Sequence, residues 1–207
     1  MADSFGIPQL IDYLTQMGLH IADVDHEQEI IELAFHGENG QWRLIVNIQQ
    51  SDDIRKLMLI VPHIGTVTTK KRMECLEALL AVNYRIAMGK FGVDLEDGEI
   101  RLEEAVPLAN AGITQEHFQL VFSAMMQTVA MYHSLIPRII YGNLTTQQAL
   151  EACEQEFFQE LEGTQEIAEA PGEIKVTNAL TETDSPPELD VHDVLAEVRR
   201  MLEEPKE

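Results

Sequence analysis

Between residues 7 and 61 the spacing of apolar side chains changes from a helical repeat to strict alternation, and this change does most to limit what the chain can fold into. Ile7, Leu10, Ile11, Leu14 and Met17 recur three or four apart, which predicts an amphipathic helix. Pro8 suits its first turn and Gly18 its end. The period then falls to two. Ile31, Leu33 and Phe35 alternate with Glu32 and Ala34, and Gly37-Glu38-Asn39-Gly40 supplies a turn. Trp42, Leu44, Val46 and Ile48 alternate in turn, Gln50 to Asp53 reverses the chain, and Leu57 to Val61 is an apolar run. These are three antiparallel strands joined as a meander. Pro62 cannot donate to a ladder, so the third strand should end there or lie on an edge.

The helical period then returns. Thr69 is placed to cap a helix carrying Met73, Leu76, Leu79, Leu80, Val82 and Ile86, with Gly89 after it. Val82 lies off the Met73-Leu76-Leu80 line, so this helix is apolar on more than one face. Phe91, Val93 and Leu95, then Asp97-Gly98, then Ile100 and Leu102 read as a hairpin, because Asp-Gly favours the turn that strand twist requires. Pro107 and Gly112 mark a loop. Thr114 caps a long helix with Phe118, Val121, Phe122, Met125, Val129, Tyr132, Ile136 and Ile139 on one face, and Pro137 should kink or fray its end. Thr145 and Gln148 form a capping-box pattern ahead of Leu150, Cys153, Phe157 and Leu161, a further helix ending near Gly163. The fold class is therefore α+β: an antiparallel sheet with helices packed on it, in the order α-βββ-α-ββ-α, followed by a helical, acidic C-terminal extension.

Charge divides the chain. The whole carries −22, from 36 acids and 14 bases. Residues 151–207 hold 17 acids and 4 bases, a net of −13, so the last quarter bears more than half of the charge. From Gly163 to Pro187 the periodicity fails, and Gly, Pro, Thr, Ser and acidic residues predict a disordered linker. The expected organisation is a folded domain over residues 1–162, an acidic linker over 163–188, and an amphipathic helix over 189–204. In that last segment Asp190 is placed as a cap, and Val191, Val194, Leu195, Val198 and Leu202 share one face. A helix this short is marginal alone in water, so its stripe should cover a surface, in cis or on a partner.

The segments Leu79-Leu80-Ala81-Val82-Asn83-Tyr84, Gly89-Lys90-Phe91-Gly92-Val93-Asp94-Leu95, Asp97-Gly98-Glu99-Ile100-Arg101-Leu102 and Val106-Pro107-Leu108 resemble the YbjN-type proteins. The pattern is a leucine-rich helix with an Asn near its end, a Gly-Phe start to a strand, an Asp-Gly hairpin, a short loop and a long final helix. It spans about Pro8 to Ile140. This resemblance implies the fold of type III secretion chaperones, a homodimer, and a regulatory or chaperone-like role.

The residues offer little to chemistry. His20, His26, His36, His63, His117, His133 and His192 form no metal-ligand spacing, and Cys75 and Cys153 form no motif. Asp94 to Gly98 superficially suggests a calcium loop, but Gly98 stands one place early for one. There is no Gly-rich phosphate loop and no nucleophile elbow. Lys70-Lys71-Arg72 is the one basic cluster, set where a helix opens. Asn83 is placed to hydrogen-bond backbone at the strand junction. The excess of acid disfavours nucleic acid and anionic lipid. No apolar run approaches the roughly 18 residues of a membrane span, and residues 1–6 lack the features of a signal peptide. The expectation is a cytoplasmic, non-enzymatic protein without cofactor or metal, which binds another protein as a chaperone-like adaptor or regulator. The partner-binding residues would be Val191, Val194, Leu195, Val198 and Leu202. The alternatives are a module that binds a small ligand and an enzyme with an unrecognised site. A polar pocket would favour those, and an exposed apolar patch the adaptor.

Overall fold

The computed structural model describes residues 5–37, 40–51, 54–109, 112–168 and 189–190. Helix α1 (Ile7–Gln16) leads into strands β1 (Asp23–Asp25), β2 (Ile30–Gly37), β3 (Gly40–Ser51) and β4 (Ile54–Thr66). A single 3-10 turn precedes α2 (Arg72–Arg85); then come β5 (Lys90–Val93), β6 (Glu99–Pro107), α3 (Gln115–Tyr132), α4 (Leu135–Ile140), α5 (Thr146–Ala168) and β7 (Leu189–Asp190). The sheet runs β1-β2-β3-β4-β6-β5, with neighbours antiparallel, and β7 joins β2 in parallel. The α+β class and the order of the main elements are those expected from the periodicity.

Alternation decides which side of the sheet is covered. Ile31, Leu33 and Phe35 of β2, Leu44, Val46 and Ile48 of β3, Leu57, Leu59 and Val61 of β4, and Ile100, Leu102 and Val106 of β6 all enter one core. Against them pack Leu10 and Leu14 of α1, Cys75, Ala78 and Val82 of α2, and the apolar stripe of α3. The opposite side of the sheet carries Arg43 paired with Glu32, and Arg101 paired with Glu103 at 3.1 Å.

Three expected element bounds are corrected. First, β4 does not stop at Pro62 but continues to Thr66, with β6 as its one partner among the described residues beyond Ile60, so Pro62 lies on a local edge. Its pairing with β3 ends at Ile60, and its register against β6 shifts between Val61 and Gly65. Pro62 thus falls where neither ladder asks for its missing N–H, at a bulge. His63 takes φ +54° there, and its N–H donates to Glu99 Oε1 at 3.1 Å. Second, the long final helix divides into α3 and α4 at His133 and Ser134, ahead of Pro137. The proline ring would strike the carbonyl four residues back, so the break falls there, and Pro137 sits in the first turn of α4, where an N–H has no helical acceptor. Third, α5 passes through Gly163 to Ala168.

Other local readings hold. Thr114 Oγ1 accepts from His117 N–H at 3.3 Å. Thr145 and Gln148 satisfy each other's N–H groups as a capping box, at 3.1 and 3.3 Å. In the β5–β6 turn Gly98 takes φ +81°, and a Cβ there would lie 2.6 Å from Val67 O. Thr69 does not cap α2: the 3-10 turn follows Thr68, and no side-chain cap bond forms. Among the described residues no helix is long and apolar enough to cross a membrane.

Candidate interaction surface

Helix α2 carries large apolar residues on two sides, of which only one is covered, and on the outer side exposed Glu77 lies among them. Cys75, Ala78, Leu79 and Val82 are buried. At about 100° per residue, Met73, Leu80 and Tyr84 fall together on the opposite side. They are 75, 71 and 93% exposed. Leu76 beside them is half-buried. Large apolar groups displayed in a row on a rigid helix cost solvation free energy in the free protein, roughly 25 cal/mol per Å² of apolar area. Scattered exposed apolar residues are ordinary; a helical row of three is a surface suited to association.

The sequence fastens α2 so that this row is held outward. Asn83 mimics a strand: its Nδ2 donates to Phe91 O at 3.0 Å and its Oδ1 accepts from Phe91 N–H at 2.8 Å. That pair pins the last turn of α2 to β5. Lys90 Nζ donates to the carbonyls of Asn83 and Ile86 at 3.4 and 3.3 Å, at the negative end of the helix dipole. Arg85 bonds to Glu154 of α5, whose Oε1 also accepts from Tyr132 Oη at 3.0 Å. Burial, then the bond to Glu154, push the Tyr132 phenol up to about 12. For Arg85, burial pulls downward most strongly, and the bond and charge of Glu154 together with Tyr132 outweigh it, so the net shift is upward. At Gly89, φ +75° favours glycine, and a Cβ there would lie 2.7 Å from Met125 Sδ, which would have to shift.

The chain also has a recess of about 210 Å³ between α3, α4 and α5, lined by His133, Ser134, Arg138, Cys153, Glu156 and others. Its polar groups largely satisfy one another. Arg138 Nε donates to Ser134 Oγ at 3.1 Å and its other arm pairs with Glu156; Ser134 Oγ lies 3.4 Å from Cys153 Sγ; His133 Nδ1 meets Ala130 O at 2.8 Å. Burial raises the Cys153 thiol above its ordinary range, which keeps it protonated and unreactive. The volume is below the roughly 300 Å³ at which small-molecule sites begin.

The residues singled out from the sequence are dispersed by the fold. Lys71 turns to Glu74 at 3.3 Å, and Lys70 is exposed at the start of α2. Asp94 and Asp97 spend a carboxylate oxygen each on turn N–H groups, of Glu96 at 2.7 Å and Glu99 at 2.9 Å. Cys75 is buried on the inner face of α2. Among the described residues no three His, Cys, Asp or Glu converge as metal ligands. Residues 169–188 of the expected linker and the stripe Val191, Val194, Leu195, Val198 and Leu202 lie outside the described residues; residues 163–168 belong to α5, and Leu189 and Asp190 ahead of the stripe form β7. The outer row of α2 was detectable only as an excess: the sequence shows apolar residues on more than one face without showing which face would be left over.

The fold and the fastened helix define a class, an α+β domain of antiparallel sheet covered on one side by helices. The chain belongs to the YbjN family, described as "Putative bacterial sensory transduction regulator", whose pattern matches residues 8–136. Among solved structures it is similar to YbjN from E. coli, with 14% identity and a TM-score of 0.43 over 73% of this chain and 94% of that one. No curated protein matches it.

Proposed function

We propose that the protein is a non-enzymatic cytoplasmic regulator that acts by binding another protein, and that the outer row of α2 is its principal contact. The observation that carries this reading is the exposure of Met73, Leu80 and Tyr84 on a helix whose other side is fully packed. A family described in terms of signal transduction agrees with a role exercised through contacts. The recess at α3, α4 and α5, with its polar groups already paired, offers a ligand little to bind at that place. The terminal stripe Val191, Val194, Leu195, Val198 and Leu202 is a second, tethered contact in the same proposal, able to dock as an amphipathic helix.

Pairing of two copies through α2 is the form of contact that the chaperone-like resemblance favours. An isologous interface needs one self-complementary patch, and a row on a single helix supplies one. The test compares the full chain with its Leu80→Asp, Tyr84→Asp variant. Light scattering at micromolar concentration should give twice the chain mass for the parent and the single mass for the variant, whose melting temperature should equal that of the parent diluted until it no longer pairs. Capture of partner protein on the immobilised chain should fall with the same variant. If mass and capture are both unaltered, α2 is not the contact. A third variant, Leu195→Asp with Leu202→Asp, separates the terminal stripe: lost capture with retained dimer assigns the partner to that stripe.

A further inference from the structure

Strand β2 has one neighbour, β3, along its full length, and a second only in part. On its other side β1 pairs with Ile30, Ile31 and Glu32, and there it stops: Ala22 N–H closes on Glu32 O at 2.9 Å as the chain turns away. From Leu33 to Gly37 that edge continues without β1. Its outward N–H and C=O groups are a template for another strand. Among the described residues, the segment that meets this edge is the chain's own C-terminal portion: Leu189 stands opposite Phe35 and Asp190 opposite His36, in parallel. Phe35 is part of the core, packed on Phe122 at 6.2 Å between ring centroids, so the edge is rigid and preformed.

We propose that the edge of β2 from Leu33 to Gly37 is a strand-addition site for an extended peptide running parallel to β2, with an apolar residue opposite Phe35 and an acidic one opposite His36, and that Leu189–Asp190 occupies this site in cis as a built-in competitor. Two paired residues supply very few ladder bonds, so the pairing has little intrinsic strength. It is held by belonging to the same chain, which raises the effective concentration of the segment at the edge. Such a latch hides the edge from adventitious strands and yields to a peptide that pairs over a greater length. The surface is separate from the outer row of α2, and the proposal does not depend on that row.

The probe is a fluorescent peptide with the sequence of residues 185–194, measured against the full chain and against a full-chain variant carrying Leu189→Pro and Asp190→Pro. Proline at both positions removes the donors on the cis segment and leaves the described core untouched. The variant should bind the peptide at least roughly tenfold more tightly than the parent, because no tethered competitor remains. Amide exchange at Leu33 to Gly37 should be faster in the variant and slow again when the peptide is added. The same peptide with proline at its Leu and Asp positions should bind neither protein. Equal affinity for parent and variant, or unchanged exchange at Leu33 to Gly37, overturns the cis latch. Binding that survives the prolines in the peptide, or no binding to the variant, overturns the strand-addition site. The Leu80→Asp, Tyr84→Asp chain should take up the peptide as the parent does, so this outcome and that of the α2 proposal are read independently.

Discussion

Helices α2 and α3 are both rich in large apolar side chains, yet the molecule treats them differently. In α3, Phe118, Val121, Phe122, Met125, Met126, Val129 and Tyr132 are all buried, because the sheet lies on one side and α1 and α5 cover the others. In α2 the inner four residues are buried to the same degree, and the outer three stand in water. Side chains of one kind therefore stabilise the fold in one helix and are available for association in the other. What separates them is the presence of a covering element, which apolarity alone does not supply.

Substitutions on the two faces of α2 give the sharpest test. Val82→Asp would place an unpaired carboxylate in the core, so the domain should be largely unfolded at room temperature by circular dichroism. Phe122→Ala in α3, which removes ring contacts with Phe35 and Phe118, both at 6.2 Å, should cost about 3–5 kcal/mol in a denaturant titration. Asn83→Ala should cost about 1–3 kcal/mol by the same measurement, since Phe91 N–H and C=O both lose their partner. Tyr132 sets a pH dependence. Its phenol titrates at about 12 when folded against 10.0 for the free group. The unfolded chain therefore loses this proton first, and the contribution, intact below pH 10, disappears as pH rises toward 12. A Tyr132→Phe variant should show a flatter fall in denaturation midpoint across that window. The smallest effect belongs to Leu80→Asp, expected to alter stability by no more than about 0.5 kcal/mol when both chains are compared at a concentration too low for pairing. A large loss there would mean that the outer face is packed after all, and the contrast between the helices would fail.

Much of this architecture is legible in the residues. The alternation of Ile31, Leu33 and Phe35, the Asp97-Gly98 turn and the Thr145–Gln148 cap each depend on neighbours a few positions away, so local reading finds them. Asn83 was also legible as a residue that bonds the strand junction. The bulge at His63 was not, because it arises where β4 leaves β3 while keeping β6, a circumstance set by strands far apart in sequence. The division of α3 from α4 was misplaced by a few residues for a related reason: Pro137 acts on the carbonyl one turn behind it.

The sequence by itself determined the type and order of the main elements, since hydrophobic period, caps and turn residues act over one or two turns of chain. It also determined that α2 carries more apolar surface than one face can hold. Only the tertiary structure decided that Cys75, Ala78, Leu79 and Val82 turn inward while Met73, Leu80 and Tyr84 turn out. A helical period tells which residues share a face. Which face finds cover depends on where β5, α4 and α5 come to rest, and those contacts join residues tens of positions apart, as the bond from Arg85 to Glu154 does.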